Sequence, residues 1–356
     1  MNETLVLIGF LVLVSLILMV DIGVFHKKDH EVGFREALVW TAVWVSLALA
    51  TGVLIYFFGN MIHGLDNVEA ITSRAEDFKH PILDQLSAVT SDETAKHIYN
   101  RNLALEYITG YLIEYSLSID NIFVIVLVFY SFGVEKQYYH RVLFWGILGA
   151  IVMRFLFIFL SAELIQRFEW ILVIFGAFLV FTGVKMFLER KKTRSIDTQN
   201  HPVIRFTSRF FRVNREYRGH RFFLKIDGRI YITSLFIVLL VIEFSDVIFA
   251  VDSVPAIFSV TKDPYIVYFS NIFAIIGLRS LFFLLINIME KFRFLHIGLS
   301  FLLVFVGIKM ILPFIGFLGN IHIPTLTSLF IIIGIIGLSI LASLIIPVSK
   351  EQKANL

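Results

Sequence analysis

Residues 230–260 read IYITSLFIVLLVIEFSDVIFAVDSVPAIFSV. The stretch is apolar for longer than the roughly 20 residues a helix needs to cross a bilayer. Its hydrophobicity is continuous and does not alternate, which points to a helix and away from a barrel strand. Three carboxylates, Glu243, Asp246 and Asp252, nevertheless sit inside it. An ionisable residue at the centre of an isolated spanning helix costs at least about 2.5–3.5 kcal/mol, so each is a functional candidate.

Working outward, eight further apolar runs cover residues 5–25, 37–58, 105–131, 142–165, 170–188, 266–289, 295–316 and 325–347. The whole chain is 58% hydrophobic, above the 45–50% usual for soluble domains, and only 17% charged. The expected fold is therefore all-α and polytopic, with about nine transmembrane helices in the lipid bilayer. Cysteine is absent, which excludes disulfides and thiolate metal sites. The first residues, Met1-Asn2-Glu3-Thr4, carry no basic charge and no small-residue cleavage site follows. The first run thus reads as a retained helix.

Two polar connections interrupt the runs, at 59–104 and 189–229. The second is strongly basic. With the N-terminus outside, 21 of the 31 Lys and Arg fall in inside segments and 6 in outside segments. Positive charge marks the cytoplasmic face, so the N-terminus is expected outside and the C-terminus inside. A basic stretch can bind nucleic acid, but between two spans it reads as a cytoplasmic loop. The expected organisation is two N-terminal spans (1–58), an external polar loop (59–104), a transmembrane unit (105–188), a basic loop (189–229), a second unit (230–316) and a last span with its tail (317–356).

The two units repeat one another. Phe181-Thr182-Gly183-Val184-Lys185-Met186 matches Phe305-Val306-Gly307-Ile308-Lys309-Met310, Arg154 matches Arg279, and Asp120-Asn121 matches Asp252-Ser253. Three spans are an odd number, so the copies are expected to insert in opposite orientations. Inverted repeats are a common transporter design, with the substrate site at their interface.

In the third span Glu114 and Asp120 match Asp246 and Asp252, and Glu243 has no counterpart. Helical spacing puts Glu114, Ser118 and Asn121 on one face, as it does Asp246 and Ser253. Asp120 and Asp252 point elsewhere unless the polar face is broad or the helix unwinds, and Pro255 favours unwinding. Five close carboxylates cannot all stay charged in a dry core, so protons or cations must neutralise them. Arg154 and Arg279 can neutralise only some. The oxygen-only donors, with Asn271 as polar glue or a further ligand, suit a hard divalent cation such as Mg²⁺, Ca²⁺ or Mn²⁺. Glu243 is the candidate proton carrier, giving exchange of metal for protons. Glu106, Glu163 and Asp21 read as interfacial, and Lys185 and Lys309 as snorkelling. His26, His30, His63, His80 and His97 read as loop residues without metal-binding spacing.

The acidic spans resemble the TerC/Alx family of integral membrane proteins, through Gly110-Tyr111-Leu112-Ile113-Glu114…Ser118-Ile119-Asp120-Asn121 and Glu243-Phe244-Ser245-Asp246…Asp252-Ser253-Val254-Pro255. The likeness covers nearly the whole chain, with a 59–104 insertion longer than is usual. It implies export of Mn²⁺ and a link to alkaline pH or tellurite resistance. It also implies metal ligands at Glu114, Asp120, Asn121, Glu243, Asp246 and Asp252. Ca²⁺ is an alternative cargo. No resident cofactor and no enzymatic activity are expected. An intramembrane aspartyl protease is the enzymatic rival, but no Gly-x-Gly-Asp segment is present. A membrane-protein assembly or stress-resistance factor, with a structural acidic cluster, is the non-transport rival.

Overall fold

The structure is a computed structural model that describes residues 3–25, 33–78, 80, 82–168, 170–188, 212–214, 221–226, 229–286, 294–314 and 323–346. Some side chains within these ranges, including those of Asp21, Asp120 and Asp252, lie outside the description. So does most of the 189–229 connection, and so do His26 and His30.

Among the described residues nine helices are long and apolar enough to cross a membrane. They are α1 (Glu3–Phe25), α2 (Phe34–Phe58), α6 (Asp92–Ser131), α7 (Tyr139–Arg167), α8 (Ile171–Leu188), α9 (Ser234–Phe258), α10 (Pro264–Ile286), α11 (Leu295–Ile311) and α12 (Thr325–Ile345). Three short helices, α3 (Asn60–His63), α4 (Val68–Asp77) and α5 (Leu83–Leu86), lie between α2 and α6. The expected polar loop at 59–104 is therefore largely helical. Its last part is the start of α6, whose 40 residues extend about 60 Å, twice the hydrocarbon thickness. Asp92 and Glu93 in its first turn complement the helix dipole. Asn67 caps α4 by accepting from the Ala70 N–H at 2.9 Å. Ile71, Ala75 and Leu86 bury the inner faces of α4 and α5 against the bundle.

A small sheet precedes α9. Strands β1 (Arg212–Asn214), β2 (Phe223–Ile226) and β3 (Arg229–Thr233) run in the order β1-β3-β2, with β2 antiparallel and β1 parallel to β3. Residues 230–233, read above as the start of a span, belong to this sheet. Thr233 ends β3 and caps α9 by accepting from the Phe236 N–H at 3.4 Å.

Helix α10 forms the centre. Every residue from Ile266 to Phe283 is buried, as expected of a helix that is apolar on all sides. Helices α2, α6 and α7 pack on it, and Phe10 of α1 lays its ring 4.2 Å from that of Phe269. Residues on α1 and α2 such as Leu5, Met19, Val39 and Phe57 face outward, where lipid would cover them.

Helices α8 and α11 approach closely at glycine. A Cβ on Gly183 would lie 2.7 Å from the Ser300 carbonyl oxygen, and one on Gly307 would lie 2.5 Å from that of Gly176. Position 176 thus faces 307 and 183 faces 300, so the helices are antiparallel. Gly183 and Gly307 hold matched places in the two repeats, and each meets the residue seven positions before the other. Small residues permit this contact between backbones, on which helix association in lipid depends.

Candidate functional site

Arg154 lies mid-way along α7 and is 1% exposed. Its guanidinium joins three other helices. Nη1 donates to Glu114 Oε1 of α6 and, at 2.9 Å, to Asn271 Oδ1 of α10. Nη2 donates to Asp246 Oδ1 of α9 at 3.1 Å, and Nε to Asp246 Oδ2 at 3.4 Å. Ser253 accepts a longer bond from Nη1 at 3.4 Å. Asn271 Nδ2 returns a bond to Glu114 Oε2 at 3.0 Å, and Ser118 donates to Oε1 at 3.4 Å. A planar guanidinium with five donors suits such simultaneous bridging, which an ammonium could not match.

The matched pair Glu114 and Asp246 is therefore held by one arginine. Of the sequence candidates, the structure brings Glu114, Asp246, Asn271, Ser118, Ser253 and Arg154 together. Among the described side chains no three His, Asp or Glu converge as a ready metal cluster. Two carboxylates share one guanidinium, so the centre holds more acidic than basic groups. Arg279, the matched arginine, is buried further along α10.

Packing fixes the helix directions. Gly146 lies beside Leu239 and Ile242, Gly149 beside Glu243, and Arg154 beside Asp246, so α7 and α9 run parallel. Phe129 stacks on Tyr139 at 4.2 Å and Glu114 meets Arg154, so α6 runs opposite to both. Asp120 and Asp252 each follow their network carboxylate by six residues, about 9 Å of helix. Because α6 and α9 are antiparallel, the backbones at 120 and 252 lie on opposite sides of the Arg154 level.

A small cavity with room for a water-sized sphere adjoins the network. Asn121, Ser245 and Asp246 are its polar wall, and Leu143, Gly146, Ile147 and Ile242 are among its apolar ones. These residues place it mainly on the side of the turn joining α6 to α7, with Asp246 at its inner end. Glu243 is half-buried and packs on Gly149, so tightly that a Cβ there would overlap its carboxyl group. Helix α9 runs unbroken through Pro255, contrary to the expected unwinding. Pro255 stands within the last turn, where little of the hydrogen-bond ladder remains to be lost.

The opposite end is fastened by ionic contacts that sequence reasoning missed. His63 Nε2 lies 2.6 Å from Asp263 Oδ2, and its Nδ1 lies 2.8 Å from Glu3 Oε1. Arg74 Nη1 lies 3.1 Å from the same Glu3 oxygen. Asp263 Oδ1 accepts from the Tyr265 N–H at 2.9 Å, capping α10 ahead of Pro264. Burial alone would lower the His63 imidazole, but Asp263, helped by Glu3, outweighs it and raises the pKa. His80 Nε2 lies 2.7 Å from Glu106 Oε1, and Glu106 raises its pKa likewise against burial. Glu106, read as solvated, is buried and also accepts from Asn102 at 2.8 Å. The Asp263-Pro264 pair was the one legible signal here, as an N-cap followed by proline. Glu163 pairs with Arg167 on the exposed face of α7.

Nine apolar spans around a buried ion-pair network define a multi-pass integral membrane protein with an internal charged centre. The profile described as integral membrane protein TerC family matches residues 99–352, and the chain belongs to that family. An uncharacterized membrane protein of Myxococcus xanthus is 42% identical over 95% of this chain and 91% of its own length. A relative in Escherichia coli (strain K12), named Alx and provisionally described as a membrane-bound redox modulator, is 38% identical over 92% of this chain and 90% of its own. A like-named protein of Photorhabdus laumondii is 38% identical over 82% and 80%. No solved structure matches the chain.

Proposed function

We propose that the protein carries a divalent cation, foremost Mn²⁺, out across a bacterial inner membrane in exchange for protons. The observation that carries this reading is the Glu114–Arg154–Asp246 network beside a cavity, midway through the spans. Such buried charge is costly in lipid and typical of ion pathways. All nearby donors are oxygens of the kind hard divalent cations prefer. The reciprocal Gly183 and Gly307 contacts support an inverted repeat, and the basic asymmetry supports an external N-terminus. Glu243 makes no ion pair among the described residues, which suits a proton carrier. The relatives' redox description finds no thiol chemistry here, since Cys is absent. Catalysis is no part of this reading.

Purified protein in liposomes, with metal-sensitive and pH-sensitive dyes inside, tests the proposal. Mn²⁺ flux coupled to opposite proton movement is expected. Absence of Mn²⁺ flux under every imposed gradient would sink it, and flux without protons would leave uniport.

A further inference from the structure

We propose that Arg154 is a resident cation that stands in for the cargo between turnovers and makes the site select divalent over monovalent ions. This rests on the transport reading above. The guanidinium occupies the one place where the two matched carboxylates meet, with donors to both and to Asn271. It is 1% exposed, so it is not a surface charge that has folded inward. A cation reaching Asp246 from the cavity must displace it.

Charge decides which ions can do so. With both carboxylates ionised, Glu114 and Asp246 set two negative charges against one on Arg154, leaving the resting centre one charge short of neutrality. A monovalent ion that displaces the guanidinium restores the same shortfall and gains nothing from the exchange. A divalent ion completes neutralisation, and at low effective dielectric that difference is large. The guanidinium also has acceptors to retain. Ser253 lies seven residues beyond Asp246 along α9, and Asn271 faces Arg154 from α10. When the divalent ion leaves, the tethered arginine returns at once, so the acidic centre is never left bare. That lowers the cost of release and keeps the cargo from being trapped.

Arg154→Gln separates this role from a structural one. Mn²⁺ binding to the purified full chain is measured by spin resonance of free Mn²⁺, alone and with Na⁺ in large excess. Turnover is measured in liposomes. The expected result is Mn²⁺ binding at least about tenfold tighter, with KM and kcat falling together. Na⁺, without effect on the wild type, should then compete. If Arg154→Gln fails to insert, Arg154→Lys serves, since a compact ammonium bridges both carboxylates poorly. It should tighten Mn²⁺ binding by a smaller factor and slow turnover. Unchanged or weaker Mn²⁺ binding in the folded variant, or Na⁺ still without effect, would overturn the role of Arg154 alone. A wild type that binds no Mn²⁺ would overturn the transport reading as well.

Discussion

Asp263→Asn probes the clasp that fastens the 60–77 segment to the bundle. Asn keeps an oxygen to cap α10 but removes the charge 2.6 Å from His63 and 3.9 Å from Arg74. Asp263 is 7% exposed. Removing one partner of a buried pair typically costs about 3–5 kcal/mol, and the retained cap argues for the lower end, about 3. Glu3 is a third exposed, so its arm adds little. The pH dependence follows from the two shifts. The His63 pKa is raised on folding, so its contribution is complete below the ordinary value of 6.5 and is lost as pH rises through the folded one. Burial would raise the Asp263 pKa, but His63 and then Arg74 outweigh it, so its contribution is present above 3.8 and fails on acidification. The clasp should therefore hold best in mildly acidic medium and loosen in alkali. It does not then vanish: Nε2 of neutral His63 still lies 2.6 Å from Asp263 Oδ2, and Nδ1 can accept from Arg74 Nη2 at 2.9 Å, so what is lost is the attraction of the imidazolium for Asp263 first and Glu3 second. Amide hydrogen exchange of residues 60–77, corrected for intrinsic rates, reads this directly. Wild-type protection should fall as pH rises beyond 6.5 and through the raised His63 pKa, and Asp263→Asn should lower it about a hundredfold at pH 6. Equal protection in variant and wild type at pH 6, or protection rising towards pH 9, would refute the reasoning.

Gly183→Val would drive a side chain against the Ser300 carbonyl, where backbone cannot yield, and should cost about 3 kcal/mol or more. Gly337→Val, with nothing within 4 Å, should leave thermal stability in detergent unchanged and serves as the control. Glu243→Gln should leave Mn²⁺ flux measurable in liposomes but reduce the protons moved per ion, a ratio that stays at the wild-type value if Glu243 is no carrier. Asn200→Cys, in a chain without native cysteine, should resist an impermeant thiol reagent in intact cells. Labelling there would reverse the proposed orientation.

Much of the architecture was written in hydrophobicity. The nine runs became nine helices because a 20-residue apolar stretch has little alternative to spanning. The 59–91 segment was less legible, since α4 and α5 are short, polar on their outer faces and hold their place through partners distant in sequence. His80 meets Glu106 across 26 residues and His63 meets Asp263 across 200, separations that no local pattern announces. Pro255 misled for a different reason: proline breaks a helix interior, but this one stands where the helix is already ending.

The candidate centre was half legible, and the illegible half changes its chemistry. The sequence marks five acids and two arginines as misplaced in lipid, and repeat matching pairs Glu114 with Asp246. Sequence does not say that α6, α7, α9 and α10 bring one arginine between exactly that pair, because the choice among partners is made by helix packing. Nor does it give the depths at which the matched aspartates lie. Matching Asp120 with Asp252 suggests one shared site, yet antiparallel α6 and α9 carry the two positions about 9 Å to either side of Arg154. In the proposed inverted repeat, equivalence in sequence thus becomes opposition in space. Residues that match at the centre converge, and those that match away from it stand on opposite sides of it.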